Sequence, residues 1–251
     1  MFFAITQERR VNMSIAENIA AIRAKMDQAA LAAGRDPQQI LLCAATKMND
    51  ADAVRQAIAG GVDCCGENKV QELTAKLADD AYRGAPVHFI GHLQTNKVKQ
   101  VVGKVDLIQS VDSLRLLEAI NKEAARQGII QDILLEVNIA REESKSGFYK
   151  EDIHPILEQM VKYPNVFVRG LMAIPPISLE PGKNSKFFQE IFNLSVDITA
   201  KKYDNVSTDF LSMGMSDDFT DAIACGSNMI RIGTAIFGAR NYAKPHLKND
   251  G

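Results

Sequence analysis

The chain has 251 residues, 46% of them hydrophobic and 24% charged, which suits one soluble domain with a sizeable core. Its 29 Lys and Arg stand against 31 Asp and Glu, a net charge of −2, so nothing points to nucleic acid or an anionic membrane as partner. No apolar run approaches the length that spans a bilayer, and the apolar start over residues 1–5 is too short for a signal segment. A cytoplasmic location is expected.

Residues 1–12 read as an N-terminal extension, and 13–251 as a single domain. Ser14 to Ala33 is predicted as a helix, with Ser14 as N-cap, Glu17 completing a capping box, and Ile15, Ile19, Ile22 and Met26 as its stripe. Ile40 to Thr46 is almost wholly apolar and reads as a parallel strand buried on both faces, with Lys47 at its C-terminal end. Asp50 to Ala59 reads as helix. Strands follow at 62–65, 87–90, 107–111, 132–139, 168–174, 208–213 and 229–232. Helices fall between them at 67–77, 94–102, 113–127, 151–163 and 186–203, and a short one follows Ser216. Eight strands alternating with helices in about 250 residues predict an α/β fold, a single (β/α)8 TIM barrel. An open doubly wound sheet is the runner-up, lowered because no G-x-G-x-x-G follows the first strand.

In such a barrel the active face lies at the strand C-termini. Lys47, Glu67, Asn68, His92, Gln94, Asn96, Ser110, Asn138 and 212–216 are the polar residues expected there. Ser216 reads as a helix N-cap with Asp217 and Asp218 in the first turn, and Gly233-Thr234 could open another helix. Two helix N-termini side by side would make an anion site suited to phosphate. The alternative is two ordinary βα units capped in the ordinary way. Counting by twos turns Lys47 and Arg231 inward. A lysine with a desolvated stem is an amine that can condense with an aldehyde, though a strand-end lysine also serves to cover apolar surface. Pyridoxal phosphate would use an aldehyde acceptor at Lys47, a phosphate cradle at Ser216, Gly233 and Thr234, and a ring-nitrogen partner at Arg231. His88 alternates with core residues and reads as a satisfied core histidine. His154 and His246 lie outside the predicted face. Cys43, Cys64, Cys65 and Cys225 form no C-x-x-C pair and read as free thiols in a reducing compartment, with no metal site expected.

Several stretches resemble the pyridoxal phosphate homeostasis protein family, related to the barrel domain of alanine racemase. They are Ala45-Thr46-Lys47, Gly66 to Glu72, His88 to Lys97, Ser144 to Phe148, Gly170-Leu171-Met172, Leu211 to Phe219 and Arg231 to Gly238. The likeness runs in order from about Ser14. It implies an alanine racemase N-terminal-domain type barrel that binds pyridoxal 5'-phosphate. Lys47 would carry the aldimine and Arg231 would meet the pyridine nitrogen. Ser216, Gly233 and Thr234 would hold the phosphate, with Asn68 close by and Lys145 near the mouth. Met48-Asn49 departs from the family's usual residues after the lysine. The family is regarded as having no settled reaction and as balancing the intracellular cofactor pool. The resemblance therefore implies no catalytic residues, pyridoxal-phosphate-dependent apoenzymes as candidate recipients, and no enzyme activity. A monomer is expected, because the chain stops soon after the eighth strand, where a racemase goes on to a second domain. A small racemase-like enzyme and an unrelated sugar-phosphate barrel enzyme are the alternatives.

Overall fold

The computed structural model describes residues 13–238 except 177 and 179; the expected extension over residues 1–12, and His246, lie outside them. The eight strands are β1 (Leu41–Ala45), β2 (Cys64–Glu67), β3 (Val87–Phe89), β4 (Leu107–Val111), β5 (Gln131–Val137), β6 (Val166–Ala173), β7 (Val206–Ser212) and β8 (Met229–Ile232). They pair in parallel in sequence order, and β8 returns to β1 to close the barrel. The doubly wound alternative is thereby excluded.

Helices α1 (Ile15–Ala32), α2 (Ala51–Ala59), α3 (Val70–Ala78), α4 (Leu114–Gln127), α5 (Lys150–Leu157), α6 (Ser185–Lys201), α7 (Phe219–Ala224) and α8 (Thr234–Phe237) form the outer layer. Between β3 and β4 the chain makes only a 3-10 segment, Thr95–Gln100, where an α-helix was expected. The capping box forms as predicted, with Ser14 N donating to the Glu17 carboxylate at 2.7 Å and Glu17 N to Ser14 Oγ at 3.2 Å. Helix α1 buries Ile19, Ile22, Met26 and Ala30. It packs on α2, α7 and α8, covering the place in the ring that the four-residue α8 leaves open.

Strand alternation divides the core in two. Leu42, Ala44, Cys65, Phe89, Ile108, Ile133, Ile230 and Ile232 point outward into the large core beneath the helices. Cys43, Cys64, Leu107, Leu134, Met172 and Met229 fill the barrel interior. Glu67, expected in the helix after β2, is the last residue of that strand, and α3 begins three residues later.

Candidate functional site

Lys47 sits in the turn directly after β1 and is half-buried. Its position follows from a buried polar knot on the outer side of β1 and β2. Thr46 N donates to Gly66 O at 2.9 Å, and Thr46 Oγ1 to Glu67 Oε1 at 2.6 Å. Lys76 on α3 forms an ion pair with Glu67 and donates to Thr46 O at 2.8 Å, the carbonyl just before Lys47. Tyr82 also donates to Glu67, at 3.0 Å, and burial together with that carboxylate pushes its hydroxyl pKa up. Beyond Lys47, Met48 takes a positive φ of 62° and its N–H is caught by Glu72 at 2.6 Å. Glu67 is thus a correction. Gly66 takes the inward place on β2, so Glu67 points outward and holds the turn instead of lining the mouth.

Arg231 enters from β8, in register with Cys43, and is 5% exposed. Its guanidinium donates to Ser212 Oγ and, at 2.9 Å, to Ala173 O, both neutral acceptors. Burial lowers its pKa, against the fields of Cys43, Glu136 and Asp218. The polar run continues inward. Ser212 Oγ donates to Gln109 Oε1 at 2.6 Å, and Gln109 Nε2 lies 2.9 Å from His88 Nδ1. His88 is therefore the satisfied core histidine expected. Gln109 was missed, although a glutamine two residues after Leu107 on an apolar strand marks the inward face.

The loops after β7 and β8 meet at this end of the barrel, where Arg231 N donates to Gly214 O at 3.1 Å. Ser216 is half-buried in the turn, Gly233 is half-buried and Thr234 is exposed. Ser216 is not the helix cap. Helix α7 starts at Phe219 with Asp218 in the cap position. Asp218 is the better local acceptor, taking Met215 N at 2.8 Å and Asn184 Nδ2 at 2.9 Å. Gly233 does cap α8, its carbonyl accepting from Ile236 N and Phe237 N. Its φ of −117° requires no glycine, and a Cβ there would meet only Ala45, at 3.4 Å.

A cavity of about 220 Å³ opens at the mouth, lined by Asn68, Gly91, His92, Glu136, Asn138 and Lys145 among others. Lys47, in the turn after β1, and Arg231, on β8, are not in its lining. Asn68 Oδ1 is buried with no hydrogen-bond partner among the described residues. Gly91 lets the β3 end approach closely, since a Cβ there would lie 2.2 Å from Asn68 O. Burial raises the Glu136 carboxyl to about 7, with Asp112 adding to the rise and Arg231 and His92 opposing it. Asn138 closes the next loop through Glu142 O at 2.9 Å and Lys145 O at 3.1 Å. The Lys145 ammonium rests 2.6 Å from Glu142 and 3.2 Å from Pro175 O. His92 Nδ1 lies 2.9 Å from Asp112 Oδ2.

Below the mouth, Cys43 and Cys64 are register partners and His88 lies on the next strand. Sequence spacing gave no metal-ligating set, yet the register assembles three donors from three strands. The Cys64 contact holds the Cys43 thiol down to about 6 in spite of burial, with His88 and Arg231 assisting. Contact with Cys43, and burial, push Cys64 well up.

The model of the alanine racemase N-terminal domain family matches residues 14–241. A pyridoxal phosphate homeostasis protein of Pseudomonas aeruginosa is 40% identical over 232 residues, 92% of this chain and 98% of its own. The protein of that name from Aquifex aeolicus is 39% identical, over 92% of this chain and all of its own. Among solved structures, PipY of Synechococcus elongatus with pyridoxal phosphate bound superposes with a TM-score of 0.77 at 31% identity, covering 90% of this chain and 100% of that one. Among the described residues no helix is long and apolar enough to cross a membrane.

Proposed function

The chain belongs to the pyridoxal phosphate homeostasis protein family, and from that membership we propose that it binds pyridoxal 5'-phosphate at the barrel mouth and helps to balance its intracellular supply. The observation that carries the reading is Lys47, held on a braced turn at the end of β1 beside the strand that brings Arg231. When bound, the cofactor supplies an aldehyde that condenses reversibly with an amine and a ring that can draw electrons. Lys47 offers the amine. Arg231 offers an N–H to the ring nitrogen from a guanidinium whose present acceptors are neutral. Ser216, Gly233 and Thr234 offer donors to the phosphate from the joined β7 and β8 loops. Asn68 offers a buried oxygen that lacks a partner among the described residues.

Arg231 also supports binding over catalysis. A guanidinium stays protonated and cannot hand its proton to the ring nitrogen. An unprotonated pyridine draws electrons poorly from a carbanion. We place the protein in the cytoplasm, as a monomer that passes the cofactor to apoenzymes; its free cysteines support a reducing compartment. A weak racemase-like activity is the second reading. Glu136 favours it, because a carboxyl at about 7 on the mouth cavity suits acid–base work.

Borohydride reduction of the loaded protein, followed by peptide mass spectrometry, tests the assignment. The reduced cofactor should sit on the peptide containing Lys47 and be absent from Lys47→Ala, with folding stability within about 0.5 kcal/mol of wild type. Cofactor retained covalently on another peptide would sink it. Chiral analysis after incubation with L-amino acids separates the two readings.

A further inference from the structure

The mouth cavity holds a carboxylate that cofactor binding does not use. Of the residues proposed for the cofactor, Asn68 is in the lining, while Lys47, Arg231, Ser216, Gly233 and Thr234 are not. Glu136, on β5, lines the cavity, and its side chain has no hydrogen bond or ion pair among the described residues. Burial raises its carboxyl to about 7, with Asp112 adding to the rise. The neighbouring cations are committed elsewhere. The Arg231 field reaches Glu136, but its guanidinium donates to Ser212 Oγ and Ala173 O. Lys145 rests 2.6 Å from Glu142 and donates to Pro175 O at 3.2 Å. His92 turns Nδ1 to Asp112 at 2.9 Å, with Ser146 Oγ 3.4 Å from the same nitrogen. Lys145 thus pairs with Glu142 and His92 with Asp112, which leaves the charge of Glu136 in excess whether or not His92 is protonated. A largely buried acceptor without a partner costs free energy that a hydrogen-bond donor would recover.

The rest of the lining fixes the kind of donor that fits. Ile90, Val137 and Ile174 supply an apolar wall. The volume of about 220 Å³ lies below the range of about 300–1,000 Å³ typical of drug-sized ligands. A short alkyl chain ending in a cationic donor meets both conditions. A carboxylate next to that end, as in an α-amino acid, would meet the fields of Glu136 and Asp112 and find Lys145 already paired. An inorganic cation would leave the apolar wall unused. We infer that the mouth cavity is a binding site for a small aliphatic primary amine, whose ammonium group takes the Glu136 carboxylate as counter-ion while its chain lies against Ile90, Val137 and Ile174. Binding is non-covalent, so the amine keeps its N–H bonds and no bond to the protein forms. The inference stands on the cavity itself and does not rest on the cofactor reading.

The test is calorimetric titration, at about pH 8, of the full chain freed of pyridoxal phosphate with n-pentylammonium chloride. The amine is then protonated and Glu136 mostly ionised. One saturable equivalent per chain should bind. The neutral n-pentanol, and L-norleucine, which is the same amine bearing a carboxylate, should each bind about tenfold more weakly or worse. Glu136→Gln keeps the shape, removes the charge and should weaken the amine by a similar factor. Nuclear Overhauser contacts in wild type should join the pentyl protons to the methyls of Ile90, Val137 and Ile174, a readout that does not depend on any variant folding. Binding should persist in the loaded, borohydride-reduced protein, where the cofactor is fixed and cannot condense with the amine. The proposal is overturned if wild type shows no saturable binding, if the contacts fall on other residues, or if Glu136→Gln binds as wild type does. Equal affinity for norleucine would make the cavity an amino-acid site, and displacement by equimolar potassium a general cation site; either overturns the choice of ligand. Loss of binding in the loaded protein would give the cavity to the cofactor and overturn the separate site. A chain that takes up no pyridoxal phosphate would sink the cofactor reading, and the cofactor-free titration would still decide this one.

Discussion

Two buried polar assemblies flank the same strand ends, and they settle their charge differently. On the outer face, Glu67 and Lys76 form an ion pair, with Thr46 and Tyr82 donating to the same carboxylate. On the inner face, Arg231, Ser212, Gln109 and His88 run as a chain whose cation has neutral acceptors among the described residues. The outer knot contains its own counter-ion and serves as a brace. The inner chain has spare capacity for an acceptor or an anion, as a ligand site should. Deleting one charge from each should therefore have opposite consequences for stability.

Glu67→Ala should have the largest effect. It leaves Lys76 buried at 7% exposure without its anion, and breaking a buried pair from one side costs about 3–5 kcal/mol. Replacing both partners, Glu67→Leu with Lys76→Met, should restore most of that loss, because apolar residues of similar volume often match a buried pair. Urea unfolding of the single and double variants decides it. Equal instability in both would mean that packing of the turn, and not charge compensation, sets the cost.

Arg231→Met should do the reverse. It removes a buried cation that has no anionic hydrogen-bond partner among the described residues, so folding stability should hold or rise. Affinity for pyridoxal phosphate should fall by about 1.5–3 kcal/mol, roughly ten- to more than a hundredfold, the worth of one hydrogen bond from a charged group. A variant that loses stability but keeps its affinity would turn the comparison round and make Arg231 a brace.

How much of this the sequence carried depends on distance along the chain. Strands β4 and β8 fall where alternation put them, and the Ser14–Glu17 box forms because all its parts lie within four residues. Glu67 and Ser216 were misplaced by one local rule competing with another. Glu67 looks like a helix-opening acid but ends a strand, and Ser216 falls in the turn before α7, whose cap position is taken by Asp218, held from 34 residues away by Asn184. The Cys43, Cys64 and His88 set depends on the register of three strands, which no local spacing encodes.

The mouth cavity adds a pH-dependent contrast. Glu136 has its pKa raised from the ordinary 4.5 to about 7, so the folded state holds a proton that the unfolded chain releases earlier. Stability should fall as pH rises between those values, and the loss should stop growing above about 7. The cavity leaves Glu136 partly open to solvent, which limits the total to about 1–2 kcal/mol, less than the full shift implies. Glu136→Gln should flatten that segment of the stability curve. An unchanged slope would place the titration elsewhere.

The smallest effect belongs to Ser216. It is half-buried on the β7 loop and is not consumed as a helix cap, a role Asp218 fills. Its hydroxyl is therefore available to the phosphate in the proposed arrangement, one donor among several. A hydrogen bond to a charged acceptor is worth about 1.5–3 kcal/mol, and water can replace part of it, so Ser216→Ala should cost about 1 kcal/mol in affinity. The loss should appear with pyridoxal phosphate and vanish with unphosphorylated pyridoxal, because only the first carries the group that Ser216 meets. Gly233→Val supplies the internal standard. Its backbone conformation admits a side chain and a Cβ has room beside Ala45, so a larger, phosphate-specific loss in that variant would reflect occupation of the ligand's place and not a damaged fold. If both variants weakened the two ligands equally, the phosphate would lie away from the joined loops, and the cofactor would have to be turned round in the barrel mouth.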